Sequence, residues 1–343
     1  MSDFGSLVFY VFSFLISAIL YNFYCKHNRK IFLFVAALIP ILIGGLRFNV
    51  GTDYSSYYNY YMHGSFVDPG FYLISSIARM FDNCQVMFFI YNALTLLFVF
   101  LGIGNMKKEC RPIAYLCFLF LFFTTSFNAM RQMLAVSIVF FSYKYAMNKK
   151  ILSFVILTLI ASLFHITAIF GLIIYPLLRI KRRAIKVAAS VAVLCVAIGC
   201  QGVIGGISEL SAFEHFSMYQ NYNGSGFSNA SFFFELLVLA YLASFYRQIA
   251  KKDESFAGYF FVYFVGVILL LTGFYSPFVK RIALYFTISS ITLLPVIPFS
   301  CKNGKDKMLN QVIIVAFIMS RFIVQSFLLG QADIIPYNCV GLW

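Results

Sequence analysis

Residues 151–179 read ILSFVILTLIASLFHITAIFGLIIYPLLR, an apolar stretch of 29 residues with Lys149 and Lys150 before it and Arg179, Lys181, Arg182 and Arg183 at its end and beyond. A transmembrane helix needs about 20 residues, so this stretch is too long for one span and short for two. A single span would place the two basic clusters on opposite sides of the membrane, against the tendency of Lys and Arg to stay on the cytoplasmic side. Two short helices turning near His165 keep both clusters on one side. That choice sets the orientation of the whole chain.

Hydrophobic residues make up 62% of the chain and charged residues 11%, with a mean hydropathy of +0.87. Such a composition excludes a soluble globular protein and predicts a polytopic membrane protein. No polar stretch is long enough for a separate soluble domain, so residues 1–343 are expected to form a single integral membrane domain. The net charge of +14 would suggest nucleic acid in a soluble protein; here it points to membrane orientation. The eight cysteines contain no C-x-x-C pair, which argues against a zinc site or a disulfide framework.

Further spans are expected near 6–24, 31–46, 85–104, 112–127, 129–147, 187–207, 230–247, 256–274, 281–299 and 308–329. With the hairpin at 151–179, every basic loop falls on one side: 25–30, 107–111, 144–150, 179–186, 247–254 and 302–307. These loops hold 20 of the 26 Lys and Arg and four of the twelve acids. The fold class is therefore all-α, with about twelve passes and both termini extracytoplasmic. Residues 47–84 and 208–229 are expected as extracytoplasmic loops. Within the first, DPGFYLISSIARMF (68–81) has the periodicity of a short interfacial helix. The second carries Glu209, Glu214, His215, Tyr219, Tyr222 and an NGSG sequence, the composition of an external loop.

Six basic residues remain outside the inner loops: Arg47, Arg79, Arg131, Lys280, Arg281 and Arg321. Arg47 opens RFNVGTDYSSYYNYY (47–61), which follows an apolar run with a turn-permitting Gly51, the carboxylate of Asp53 and five tyrosines. Arg131 in SFNAMRQMLA and Arg281 in SPFVKRIALYF occupy outer ends of other spans. Arginine binds phosphates through paired, planar hydrogen bonds, so Arg47, Arg131 and Arg281 are candidate diphosphate ligands; interfacial anchoring is the alternative for each. His165 and Asp53 are the candidate general bases. For His165 the alternative is a structural hairpin tip, and for Asp53 a salt bridge that orients Arg47. Tyr54, Tyr57, Tyr58 and Gln132 are candidate glycan contacts. Arg321 within the last span needs a partner, with Glu235 or Asp333 available. No cluster of Asp, Glu or His has metal-ligand spacing, so neither a metal nor another cofactor is expected.

The segments GLRFNVGTDYSSYY (45–58), FNAMRQMLAVSIVFFSYKYA (127–146), ASLFHITAIFGLIIYPLL (161–178) and VKRIALYF (279–286), in this order, resemble the EpsG-type family of polysaccharide polymerases, relatives of Wzy polymerases. The resemblance spans roughly 40 to 290 and maps onto Arg47, Gly51, Asp53, Tyr54, Arg131, Gln132, His165 and Arg281. It implies an architecture like that of the membrane GT-C glycosyltransferases. It also implies joining of oligosaccharide repeat units carried on polyprenyl diphosphate, as donor and acceptor, at the outer face of the bacterial inner membrane. The polymer would be capsule, O-antigen or exopolysaccharide. A flippase and a chain-length regulator are companions of such a system, and nucleic acid is not a partner. Without a metal, the arginines would stabilise charge on the departing diphosphate. The rival readings are a lipid-linked oligosaccharide flippase or other transporter, and an O-antigen ligase.

Overall fold

The computed structural model describes residues 1–207, 230–272 and 277–341, and the described residues are helical with no β-strand. In chain order the helices are α1 (Asp3–His27), α2 (Lys30–Leu46), α3 (Tyr54–Met62), α4 (Pro69–Met80), α5 (Cys84–Ile103), α6 (Arg111–Leu121), α7 (Met130–Met147), α8 (Ile151–Ser162), α9 (Ile174–Leu177), α10 (Arg183–Ile207), α11 (Ala230–Ala250), α12 (Glu254–Thr272), α13 (Pro277–Thr287), α14 (Ser290–Leu293), α15 (Val296–Ser300) and α16 (Gly304–Phe322). The loop expected over 208–229 and the closing Trp343 lie outside the described residues.

Among the described residues, six helical segments are long and apolar enough to cross a membrane: Asp3–His27, Cys84–Ile103, Ala230–Ala250, Glu254–Leu271, Phe278–Ser300 and Gly304–Leu328. Shorter apolar helices lie at Lys30–Leu46, Arg111–Leu121, Ile151–Ser162 and Ile166–Leu177. On α1 the side chains of Phe12, Ile16, Ile19 and Phe23 are 41 to 61% exposed along one face. An apolar stripe of that length turned outward is the signature of a lipid-facing helix.

Two expected spans take a different form. The segment expected as 112–127 is α6 followed by a 3₁₀ turn at Phe123–Phe127. The segment expected as 281–299 is broken into α13, α14 and α15. Pro295 and Pro298 each lack the N–H that a continuous helix needs, which accounts for the break near α15. Within the 151–179 stretch, α8 ends at Ser162, Leu163–His165 form a break, and a 3₁₀ helix begins at Ile166.

The chain forms two compact units, Met1–Ile169 with Leu294–Trp343, and Phe170–Leu293. In the first, α1, α2 and α6 are pinned together inside the core. The Ser17 hydroxyl donates to the Ala36 carbonyl at 2.7 Å and lies 2.8 Å from the Tyr115 hydroxyl, which donates to the same carbonyl at 3.1 Å. Buried hydroxyls satisfied in this way avoid the desolvation penalty that unpaired ones would carry in an apolar interior.

The first unit has two chemically distinct ends. At one, Lys26, Lys108 and Lys307 line a common groove, so the loops after α1 and α5 and before α16 lie together. At the other, the Ser6 hydroxyl accepts from the Tyr337 N–H at 2.9 Å, and the Met1 ammonium reaches the Tyr337 carbonyl at 3.4 Å. Twenty helical rises separate Ser6 from Lys26, about 30 Å, the thickness of a hydrocarbon core. Three of the six basic loops expected on one side, 25–30, 107–111 and 302–307, thus lie together within this unit.

In the second unit, α12 packs on α11, α10 and α13. Lys181 and Glu254 form an exposed ion pair at 3.0 Å. Glu235 on α11 is buried, and its carboxylate and carbonyl both accept from the Tyr263 hydroxyl of α12.

Candidate active site

The end of the first unit opposite the three lysines gathers most of the residues singled out in the sequence. Arg47 stands just after α2 and its side chain is fully buried. Its Nη1 donates to the carbonyls of Val50 at 2.9 Å and Phe127 at 2.5 Å, while the guanidinium lies 4.6 Å from the Phe88 ring centroid and 4.8 Å from that of Phe127. Aromatic faces and carbonyl oxygens replace the hydration the cation has lost. Among the described residues its Nε and Nη2 find no hydrogen-bond partner.

Asp53 is not the partner of Arg47. The described residues form no ion pair between them, and the Asp53 carboxylate instead accepts from the Thr52 hydroxyl at 3.1 Å. Asp53 precedes α3 and is partly exposed.

Gly51 makes this arrangement possible. Its φ is +95°, and a Cβ there would stand 2.5 Å from Asn128 Oδ1, 3.0 Å from the Phe127 carbonyl and 3.1 Å from Arg47 Nη1. Glycine is the residue that meets both demands.

The C-terminal tail clamps the same turn. The N–H groups of Phe48 and Gly51 donate to the carbonyls of Asn338 and Asp333 at 2.9 and 2.8 Å, and Val340 N–H donates to the Leu46 carbonyl at 2.8 Å. The Asn128 amide donates to the Ala332 carbonyl at 2.9 Å, joining the start of α7 to the tail. Nothing in the tail's side chains announces this role, because the bonds are mostly between backbone groups.

Tyrosines of α3 divide by helical face. Tyr54, Tyr57 and Tyr61 are buried, at the i, i+3, i+7 spacing of one stripe. Tyr54 stacks on Phe88 at 5.1 Å and accepts from the Gln85 amide at 3.2 Å; Tyr57 donates to the Asn128 carbonyl at 3.0 Å. Of the tyrosines proposed as glycan contacts, Tyr58 has the open ring, 41% exposed. Gln132 is buried on α7.

Arg131, in the first turn of α7, is ion-paired through Nη1 with Asp68. The side chains are 18 and 15% exposed, so the pair stands at the margin of the interior. Its Nε finds no hydrogen-bond partner among the described residues, and the guanidinium lies 6.0 Å from the Tyr57 ring. Burial pushes the Asp68 carboxyl above its ordinary value, while the Arg131 guanidinium pulls in the opposite direction.

Asp68 begins α4, whose Pro69 occupies the first helical turn. That is the helix expected from DPGFYLISSIARMF, and its amino end reaches the break after α8. Gly70 N–H donates to the Leu163 carbonyl at 2.8 Å, and a side chain at position 70 would collide with the Phe164 ring. His165 follows directly, half-buried, with Nδ1 2.6 Å from the Thr167 hydroxyl. The structure thus brings Arg47, Asp53, Tyr58, Arg131 and His165 to one end of the first unit. Arg281 belongs to α13 of the second unit, where it is partly exposed. Arg321 is buried on α16 with its Nε 3.3 Å from Gln325 Oε1.

Sequence reasoning missed Asp68, because a single carboxylate before Pro69 reads as a helix start. The hint was present: DPG is an aspartate at the head of an amphipathic helix in the same outer segment as the arginines. It also missed α3, whose Tyr and Ser content gives little apolar periodicity.

Apolar helices in this number define a multi-pass α-helical membrane protein. A family model described as the EpsG family matches residues 30–339, and the chain belongs to that family, which is of the Wzy-like polymerase type. No curated protein and no solved structure matches it. Membership and apolar helices together fit a membrane polysaccharide polymerase.

Proposed function

We propose that the protein is a glycosyltransferase that joins polyprenyl-diphosphate-linked oligosaccharide repeat units at the extracytoplasmic face of a bacterial inner membrane, with about twelve passes and both termini on that face. The observation that carries the reading is the placement of the Arg131–Asp68 pair beside the His165 break, at the end of the first unit remote from Lys26, Lys108 and Lys307. Positive-inside orientation turns that end outward.

In this reading a hydroxyl of the acceptor repeat unit attacks the anomeric carbon of the donor chain. The new glycosidic bond forms as the anomeric C–O bond to polyprenyl diphosphate breaks, and the hydroxyl proton passes to a base. His165 is the first candidate, with Thr167 orienting its ring; Asp53 is the second. Arg131 receives the negative charge of the departing diphosphate, its Nε–H being free of the bond that Nη1 makes to Asp68. Arg47, enclosed by Phe88 and Phe127, holds the turn that carries α3. Arg281 enters as a diphosphate ligand from the sequence pattern alone. Tyr58 offers its exposed ring to the glycan.

Deletion of the gene followed by gel analysis of surface polysaccharide tests the reading. Product limited to a single repeat unit supports a polymerase; loss of all surface repeats favours a flippase or a ligase.

A further inference from the structure

The lysine-lined end of the first unit holds a groove of about 690 Å³ between α1, the amino end of α6 and the α15–α16 corner. It lies away from the candidate active site and the proposed chemistry does not use it. Lys26 in the last turn of α1 and Lys108 in the loop before α6 are exposed, and Lys307 in the first turn of α16 rests its Nζ 4.4 Å from the Phe299 ring centroid. Glu109 is the acid among the lining residues, so three ammonium groups face one carboxylate. Along α1 and α6 the wall turns apolar through Ile19 and Leu116, and Ile19 is 53% exposed on the lipid-facing stripe.

Cations at one end of a groove and hydrocarbon along its length complement an amphiphile with an anionic head. We propose that this groove binds an anionic phospholipid of the leaflet facing the basic loops, its phosphodiester among Lys26, Lys108 and Lys307 and an acyl chain along Ile19 and Leu116. Lysine suits this role because its ammonium is a compact charge on a flexible stem that follows a mobile headgroup. Juxtamembrane lysines attract anionic lipid surfaces for the same reason. A soluble phosphate would use the ammonium groups and leave the apolar wall idle. A zwitterionic lipid would use the wall and gain little from the excess positive charge.

The test is native mass spectrometry of the full-length protein in detergent, incubated with phosphatidylglycerol or with phosphatidylcholine of the same acyl chains. The wild type is expected to retain phosphatidylglycerol preferentially, and inorganic phosphate is expected not to displace it. Lys26→Gln with Lys108→Gln is expected to weaken retention on the order of thirtyfold, at roughly fivefold per lysine. The corresponding Lys→Arg pair is expected to preserve it. Both lysines are exposed, so folding should survive; should the double variant elute as aggregate, Lys26→Gln alone is compared in the same way. Equal retention of the two lipids by the wild type, retention unchanged by the glutamines, or displacement by inorganic phosphate would each overturn the proposal.

Discussion

The Arg131 guanidinium is ion-paired with the Asp68 carboxylate across 63 residues of chain, tying the first turn of α7 to the start of α4. Neither side chain is fully withdrawn from solvent, so the pair is worth less than a fully buried one. Removing one partner by Arg131→Gln or Asp68→Asn is expected to cost about 2 kcal/mol, since the other charge is left partly desolvated. The double variant should be more stable than the sum of the singles implies, because the residues share one contact. Chemical denaturation in detergent across the four proteins measures the coupling.

The pair also sets a pH dependence. Burial raises the Asp68 carboxyl and Arg131 offsets part of that rise. A carboxyl raised in the folded state adds stability that is full below its unfolded value of about 3.9 and is lost as pH climbs through the folded value. Arg131→Gln removes the offset and lifts the carboxyl further. Its stability is therefore expected to fall more steeply than the wild type's as pH rises above that point. The Arg131→Gln, Asp68→Asn double variant should lose this slope, and melting curves over a pH series show whether it does.

Gly51 offers a comparison with Gly64. Both have positive φ, +95° and +63°, but a Cβ at Gly64 would meet only Arg79 Nη1 at 3.7 Å, whereas at Gly51 it would strike Asn128 and the Phe127 carbonyl. Gly64→Ala is expected to cost about 1 kcal/mol from backbone strain, and Gly51→Ala distinctly more, about 3 kcal/mol. Equal melting shifts would show that the Gly51 turn is not the tight element described.

Arg47→Lys tests the buried cation. A lysine keeps the charge but cannot spread a planar group between Phe88 and Phe127 while reaching both carbonyls. Loss of about 2 kcal/mol of stability and a lowered yield of folded protein are expected. Unchanged stability with weakened substrate binding would instead make Arg47 a direct diphosphate ligand.

Much of this architecture can be read from local signals. Three of the six Lys and Arg clusters that assign inner loops from the sequence come together in the first unit, as Lys26, Lys108 and Lys307. Pro69 marks the start of α4, and the length of the 151–179 stretch points to an interruption, which falls at Leu163–His165. What escapes the sequence is long-range or carried by backbone. The partner of Arg131 lies 63 residues away, and the tail's hold on Phe48 and Gly51 uses carbonyls that every residue possesses. Arg47 shows how a local rule misleads. A charge after an apolar run suggests an interfacial site and an acidic neighbour, yet Arg47 lies inside the fold and its Nη1 donates to the carbonyls of Val50 and Phe127.

The decisive measurement is polymer length made in vitro from lipid-linked repeat units by purified wild type, Arg131→Lys, His165→Ala and Asp53→Asn at matched amounts of folded protein. Arg131→Lys is expected to lower turnover about a hundredfold through loss of the bidentate contact to the departing diphosphate, and His165→Ala to abolish elongation, with Asp53→Asn less affected. Wild-type chain lengths from both Arg131→Lys and His165→Ala would contradict the assignment of this end of the first unit as the site of polymerisation.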